Sequence, residues 1–503
     1  MTLVQIKLPR QASPTAGYPS AVGQRVFARG GGDQTIRVHD CWTLGGPDGD
    51  CVVIRPGGAW ARINRDALDG IQALAGLTLA EASELAGVSI DGVRAFLEDA
   101  RQWGVVSVPG EPTVSPPARA WSEDFGLLVL KLTNVCNIDC TYCYNGGVDD
   151  GEALTEAQGV EILRRALDQC PVGLNVVLHG GEPLVERERI GQLCEFAVQY
   201  AAEQNKQVYF NIQTNATLLN DAALDLIDRY DIGVGVSLDG PGALNALRIN
   251  HGGQPTVDRV WRGIERLRER GRGVNVITVV TSQNADHLLD IVLAFQERGI
   301  VSVKFSPFLQ QGYGEHAPSN MAPDPARMAD GLIRVIDAIA EGEIHSIKVN
   351  DVCDLLKRCL SWGEPTMCHR GGPCGAGRDM LAVYPQGDVY ACDCLVHERF
   401  KLGTLDGERT LAEIVDHPAV EALGRRTPSS MTPCNTCALQ QMCGGTMTCR
   451  AFWSSGDEQQ ADPAECLVNQ RTLQHLLWKV TESDRLVRYF LRWEAREGES
   501  LEG

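Results

Sequence analysis

The sequence predicts an α/β protein built on a parallel sheet, with a small strand–helix unit before it and a cysteine-rich region after it. Three observations carry this expectation. From residue 127 to 306, short apolar runs alternate with longer helical patterns, and such alternation means parallel strands joined by crossover helices. Near the chain start, two strand-like runs flank Pro56-Gly-Gly58 and precede three helical patterns. Beyond residue 367 the cysteines crowd together.

Residues 1–33 are rich in Gly, Pro and Ala and read as a flexible lead. Residues 34–109 make the small unit. Its hairpin is Cys51–Arg55 with Trp60–Asn64, and its helices are Asp66–Ala75, Thr78–Ala86 and Ser89–Trp103. Val105–Val108 closes it as a wing strand. Thr78 and Ser89 are N-caps, and Glu81 completes a capping box with Thr78. Residues 110–122 are a Pro-rich linker.

Residues 123–345 carry the alternating units. The strands are Leu127–Thr133, Leu174–His179, Gln207–Gln213, Ile232–Leu238, Val274–Val280 and Val301–Ser306. The helices include Glu161–Gln169, Glu188–Glu203, Ala222–Tyr230, Val257–Arg270 and Ala285–Arg298. Residues 346–470 form the cysteine-rich region. A single apolar helical stripe from Cys466 to Glu497 packs on the rest, so the C-terminal segment 471–503 reads as a helix with a frayed Glu-Gly-Glu-Ser-Leu-Glu-Gly tail.

Composition excludes some functions. The net charge of −19 argues against nucleic acid as the main partner, because backbone binding needs basic surface. No apolar run approaches the ~20 residues that a membrane span needs. Met1–Lys7 lacks a signal-peptide pattern. Eighteen cysteines, clustered in a long chain without an export signal, point to metal rather than disulfides, and to a cytoplasmic protein.

The chemistry starts at Cys136, Cys140 and Cys143, straight after the first strand. Thiolates bind zinc and iron–sulfur clusters, and three ligands leave one metal position open. A plain zinc loop is the bland alternative. After the second strand comes His179-Gly-Gly-Glu-Pro183. Gly180 and Gly181 allow close backbone approach to a ligand, and Glu182 can accept from an ammonium group. Gln213 and Asn215 offer amides after the third strand. Ser237 and Arg248 follow the fourth, and arginine grips a carboxylate bidentately. Taken singly, these residues would be turns and caps. The later cysteines 368, 374, 392, 434, 437, 443, 449 and 466 suit two four-cysteine cluster sites. A zinc ribbon at Cys434 and Cys437 is the alternative there.

The cysteine loop, with the aromatic Tyr142 before its last cysteine, resembles the cluster loop of the radical S-adenosylmethionine (SAM) superfamily. That resemblance implies a partial (β/α)₆ TIM-like barrel with chemistry at its C-terminal strand ends. It implies a [4Fe–4S] cluster on Cys136, Cys140 and Cys143. It implies SAM held by Tyr142, Gly180, Gly181, Glu182, Gln213, Asn215, Ser237 and Arg248. The later cysteines resemble the SPASM extension with two auxiliary [4Fe–4S] clusters. By that likeness Cys368, Cys374, Cys392 and Cys449 hold the first, and Cys434, Cys437, Cys443 and Cys466 the second. Five residues separate Cys443 from Cys449, where the family usually has three. That leaves open whether Cys449 or Cys394 completes the first cluster. Cys41, Cys51, Cys170, Cys194, Cys353 and Cys359 read as small buried hydrophobes.

Asp393 occupies the place of the proposed substrate base in anaerobic sulfatase-maturating enzymes. Burial would raise its pKa toward neutrality for that task. A local cap beside the cluster is the alternative. The N-terminal unit resembles the winged-helix-like peptide-recognition domain of ribosomal-peptide maturases, where a leader peptide adds a strand at the sheet edge. A DNA-binding winged helix is disfavoured, since its third helix carries Asp91, Glu98 and Asp99 against Arg94 and Arg101. A purely structural accessory domain stays open.

The resemblance thus implies a radical SAM peptide maturase. A 5′-deoxyadenosyl radical would abstract hydrogen from a precursor peptide or small protein subunit and lead to an intramolecular thioether or carbon–carbon cross-link. A flavodoxin or ferredoxin would supply the electron. One alternative is oxidation of Cys or Ser to formylglycine in a sulfatase. Another is a non-catalytic iron–sulfur carrier or zinc-binding interaction protein, in which Gly180, Gly181, Glu182 and Arg248 would have no purpose.

Overall fold

The computed structural model describes residues 24–26, 34–46, 49–55, 60–112, 125–145, 152–318, 320–360, 374–405 and 410–501. The expected turn at Pro56-Gly-Gly58, most of the Pro-rich linker and Cys368 lie outside the described residues.

The N-terminal unit has a four-stranded antiparallel sheet in the order β1 (Gln24–Val26), β3 (Cys41–Gly45), β4 (Asp50–Ile54) and β5 (Trp60–Asn64). Between the first two lies β2 (Arg37–Val38), which pairs with the wing strand β6 (Val106–Ser107). Gln24–Val26 was expected within a flexible lead, but the open backbone of β3 takes it up as an edge strand. Three helices, Arg65–Ala73, Leu79–Ala86 and Ile90–Gln102, connect β5 to β6. The Thr78–Glu81 capping box forms as expected.

This small sheet is buried on both faces, because alternate residues of a strand point opposite ways. Cys51 and Val53 pack with Leu68, Ile71, Val93 and Leu97 of the unit's own helices. Val52, Ile54 and Trp60 join the main core. Trp60 Nε1–H donates to the Cys359 carbonyl at 2.9 Å, and the Arg62 guanidinium lies 5.0 Å from the Trp478 ring centre.

The main sheet has ten strands. Six parallel strands form its body: β7 (Leu127–Lys131), β9 (Gly173–His179), β10 (Gln207–Thr214), β11 (Gly233–Ser237), β13 (Asn275–Val280) and β14 (Ser302–Pro307). All six expected strands are present, with small boundary shifts. Two short strands outside this sheet, β8 (Asp139–Cys140) and β12 (Arg248–Ile249), pair antiparallel with each other. The sheet continues beyond β14 with β15 (Lys348–Val349), and on its other side β7 pairs in parallel with β16 (Met380–Val383). Antiparallel β17 (Asp388–Tyr390) and β18 (Lys401–Thr404) complete it. The cysteine-rich region is therefore stitched onto the first barrel strand, which brings Asp393 toward the cysteine loop.

The C-terminal stripe is two helices, Pro463–Glu482 and Asp484–Leu501, and not the single helix expected. Ser483 is extended, with φ −135° and ψ 114°, and its hydroxyl donates to the Ala340 carbonyl. That break lets both helices follow the barrel helix Pro325–Glu341. Leu467, counted in the apolar stripe, is exposed.

Candidate active site

The loop after β7 is held by the turn after β9. Gly181 N–H donates to the Thr133 carbonyl at 2.7 Å, and Glu182 N–H to the Val135 carbonyl at 2.9 Å. This close approach explains the glycine pair. A Cβ on Gly180, whose φ is +143°, would sit 2.4 Å from the Thr133 oxygen, and one on Gly181 would sit 2.2 Å from the Val135 oxygen.

Cys140 lies opposite Arg248 in the β8–β12 ladder, and Arg248 Nη1 approaches its sulfur at 3.7 Å. The Asn215 side-chain amide approaches Cys136 Sγ at 3.8 Å. Burial pushes the thiol pKa of Cys136 up to about 11 and that of Cys140 up to about 12. Without metal these are neutral thiols, so iron binding would release protons.

Glu182 is fully buried. Its carboxylate accepts from Leu184 N–H (3.1 Å), the Thr214 hydroxyl (2.7 Å) and Asn215 N–H (2.7 Å). Burial outweighs these bonds and raises its pKa to about 7. A carboxylate so placed fits an ammonium ligand, which would supply the missing positive charge. Gln213 Nε2 donates to Ser237 Oγ at 2.8 Å, joining the ends of β10 and β11. Arg248 faces Asp239, with Nε 3.2 Å from Oδ2, and the Tyr142 hydroxyl donates to that same oxygen. Ser237 and Arg248 thus engage different residues, Gln213 for one and Asp239 with Cys140 for the other.

Asp393 sits across from this loop. Tyr144 donates its hydroxyl proton to Asp393 Oδ2 at 3.1 Å, and the Cys392 thiol lies 3.4 Å from Oδ1. Behind them Lys131 is fully buried. Its ammonium is placed to donate to His179 Nδ1 (3.1 Å), Tyr144 Oη (3.3 Å) and Asn145 Oδ1 (3.4 Å). Burial, and then the Lys131 charge, push His179 down to about 3, so its ring is neutral. Burial alone would raise the Asp393 pKa. The Lys131 charge, with the bonds from Tyr144 and Cys392, reverses that and holds it below the ordinary carboxylate range. The expected upward shift is therefore corrected by a buried cation.

The later cysteines fall into two groups. Cys434, Cys437, Cys443 and Cys466 line one cavity of about 70 Å³. Amides of Asn469 and Gln470 approach the sulfurs of Cys443 and Cys466 at 3.5 and 3.4 Å. In the other group the ligand atoms of Cys392, Asp393 and Cys394 lie within 4.8 Å of one another. The Cys394 thiol also meets Cys449. Arg426 is buried within electrostatic reach of Cys374, Glu465, Cys434 and Cys449. No role for Lys131, Tyr144, His179 or Asp239 is assigned from the sequence. A lysine ending an apolar strand run was the available signal for the first.

Residues 130–295 match the Radical SAM superfamily, and residues 374–438 match SPASM, an iron-sulfur cluster-binding domain. The chain therefore carries a radical SAM domain followed by a SPASM domain, and it is a radical SAM enzyme. Its cofactors are SAM, the [4Fe–4S] cluster of the first domain and the further iron–sulfur clusters of the second. Over 335 residues it is 25% identical to the cysteine-type anaerobic sulfatase-maturating enzyme of Clostridium perfringens, covering 64% of this chain and 89% of that one. The native anSMEcpe structure with bound AdoMet and Cp18Cys peptide superposes with a TM-score of 0.64 at 21% identity, covering 73% of this chain and 99% of that one. Streptococcus suis SuiB bound to precursor peptide SuiA gives a TM-score of 0.51 at 16% identity, covering 83% and 96%. These likenesses are of fold. No helix of the described residues is long and apolar enough to cross a membrane.

Proposed function

We propose that this radical SAM enzyme oxidises a ribosomally made precursor peptide, or a small protein subunit, and closes an intramolecular thioether or carbon–carbon cross-link in it. The observation that carries the reading is the Tyr144–Asp393 hydrogen bond, which sets a carboxylate of the cysteine-rich region against the SAM-side loop. Cys136, Cys140 and Cys143 hold the first cluster. Glu182 takes the SAM ammonium where Gly180 and Gly181 leave room, and Arg248 with Ser237 takes its carboxylate. Tyr142, Gln213 and Asn215 shape the rest of that seat. With SAM and the reduced cluster bound, the chemistry supplied is a 5′-deoxyadenosyl radical that removes a hydrogen atom from a substrate carbon. Asp393 accepts the proton lost as the new bond closes. Cys368, Cys374, Cys392 and Cys449, with Cys434, Cys437, Cys443 and Cys466, would hold the auxiliary clusters, which would supply an acceptor for the one electron the substrate loses as the bond closes.

Residues 34–109 recognise the peptide. Among the described residues β5 is a free edge of its sheet, and an edge strand is what β-augmentation needs. A flavodoxin or ferredoxin donates the electron, and the protein works in the cytoplasm.

A second reading, oxidation of Cys or Ser to formylglycine, is favoured by the sulfatase-maturating relatives. The test is anaerobic incubation of the reconstituted enzyme with dithionite, SAM, and synthetic peptides from the short reading frames flanking its gene. A cross-linked product is lighter by a pair of hydrogens and carries no aldehyde. A hydrazide-reactive aldehyde supports the second reading. Formation of 5′-deoxyadenosine with every peptide left intact contradicts both.

A further inference from the structure

Among the largest fully buried side chains of the described residues is a lysine, Lys131. Lys131 ends β7, five residues before the first cysteine of the loop. A buried ammonium is costly unless every proton finds an acceptor. Here all three do: His179 Nδ1, Tyr144 Oη and Asn145 Oδ1. The rings of Tyr144 and Tyr384 face it as well, at 4.9 and 5.5 Å from ring centre to Nζ.

The polarity of the cluster can be read from one backbone bond. Gly180 N–H donates to His179 Nδ1 at 2.8 Å. A backbone amide is always a donor, so Nδ1 is bare and accepts from both Gly180 and Lys131. The ring proton is then on Nε2, which lies 3.2 Å from Tyr144 Oη. Tyr144 Oη accepts there and from Lys131, and its own proton goes to Asp393 Oδ2. Every bond thus runs one way, from Gly180 and Lys131 through His179 and Tyr144 to Asp393. The Gly-Gly-Glu turn of the SAM side and the carboxylate of the cysteine-rich region are joined through the buried Lys131 and the half-buried His179 and Tyr144.

We infer that Lys131, His179 and Tyr144 are positioning residues, a one-way hydrogen-bond chain that fixes Asp393 Oδ2, while the Cys392 thiol meets Oδ1 from the other side. The inference rests on the proposed role of Asp393 as the base. In this arrangement the chain relays no proton: with Nε2 already protonated, His179 cannot take one from Tyr144. Its work is aim. A carboxylate held at Oδ2 by Tyr144 has a fixed plane and aim, and misplacement by an ångström is expensive in catalysis. Loss of the chain should therefore decouple radical formation from product formation.

Two measurements test this. The first needs no substrate: ¹⁵N spectra of histidine-labelled holoenzyme with oxidised clusters. His179→Asn, which keeps an acceptor near Nδ1 and drops the Nε2 donor, identifies the His179 signals. A bare Nδ1 with a protonated Nε2 is expected, with the Nε2 signal alone shifting in Tyr144→Phe. A doubly protonated ring, or a proton on Nδ1, overturns the chain. The second is the ratio of 5′-deoxyadenosine to modified peptide, using a flanking-frame peptide that the wild-type enzyme modifies. Tyr144→Phe, His179→Asn and Lys131→Met should each raise that ratio roughly tenfold or more. A ratio unchanged in Tyr144→Phe, the mildest variant, overturns the positioning role even if Lys131→Met fails to fold. If wild type modifies no peptide, the function reading fails, while the ¹⁵N spectrum still decides the chain.

Discussion

Tyr144 and Asp393 lie 249 positions apart in sequence, yet the phenol of one donates to the carboxylate of the other at 3.1 Å. The parallel pairing of β16 with β7 makes this possible, since it lays the cysteine-rich region alongside the strand that feeds the cluster loop. If Asp393 is the base, Asp393→Asn should lower product formation by roughly 10² or more, the usual worth of a positioned base. SAM cleavage should continue, which chromatography of 5′-deoxyadenosine checks.

If Glu182 holds the SAM ammonium as proposed, the binding of SAM acquires a pH dependence. The Glu182 pKa in the ligand-free protein is raised to about 7 by burial, from an ordinary 4.5. A raised carboxylate pKa means that the folded state holds more protons than the unfolded one between those values. The group's contribution to stability therefore falls as pH rises from 4.5 to 7. An ammonium ligand needs the ionised form, so binding below pH 7 must expel a proton. SAM affinity should weaken as pH falls below about 7, by up to tenfold per unit, and calorimetry in buffers of different ionisation enthalpy should detect the released proton. Glu182→Gln should flatten that dependence.

Asp239 neutralises Arg248 where both are buried. Asp239→Ala should cost about 3–5 kcal/mol, because it strands a buried guanidinium. Thermal unfolding of the metal-free proteins measures this. The double change Asp239→Ala with Arg248→Met should recover part of the loss.

Cys434, Cys437, Cys443 and Cys466 share one cavity. Replacing any one by serine should remove about four irons of the roughly twelve that three [4Fe–4S] clusters supply. Cys394→Ser and Cys449→Ser, compared by iron content and electron paramagnetic resonance, decide which thiol serves the first auxiliary cluster.

Much of this was legible in the sequence because it is local. The six barrel strands are apolar runs of the expected length, and the Thr78–Glu81 cap needs only four consecutive residues. Gly180, Gly181 and Glu182 stand in one turn, and their close approach to the loop follows from missing side chains. What was not legible depends on distant partners. Nothing near Asp393 in sequence reveals Lys131, which turns its pKa downward when burial alone would turn it upward. Asp239 carries no local signal either, because its partner Arg248 meets it only in the folded chain. The break at Ser483 reflects the length of the barrel helix that the C-terminal helices must follow, which their own apolar stripe does not encode.

The central claim is that a radical made at the Cys136, Cys140 and Cys143 loop acts on a peptide. The most direct measurement uses a flanking-frame peptide deuterated at its carbons, incubated anaerobically with the reconstituted enzyme, dithionite and SAM. Mass spectrometry should find deuterium in 5′-deoxyadenosine, in proportion to a modified peptide. Deuterium-free 5′-deoxyadenosine and unaltered peptide, from an enzyme with its full iron content, would contradict the account.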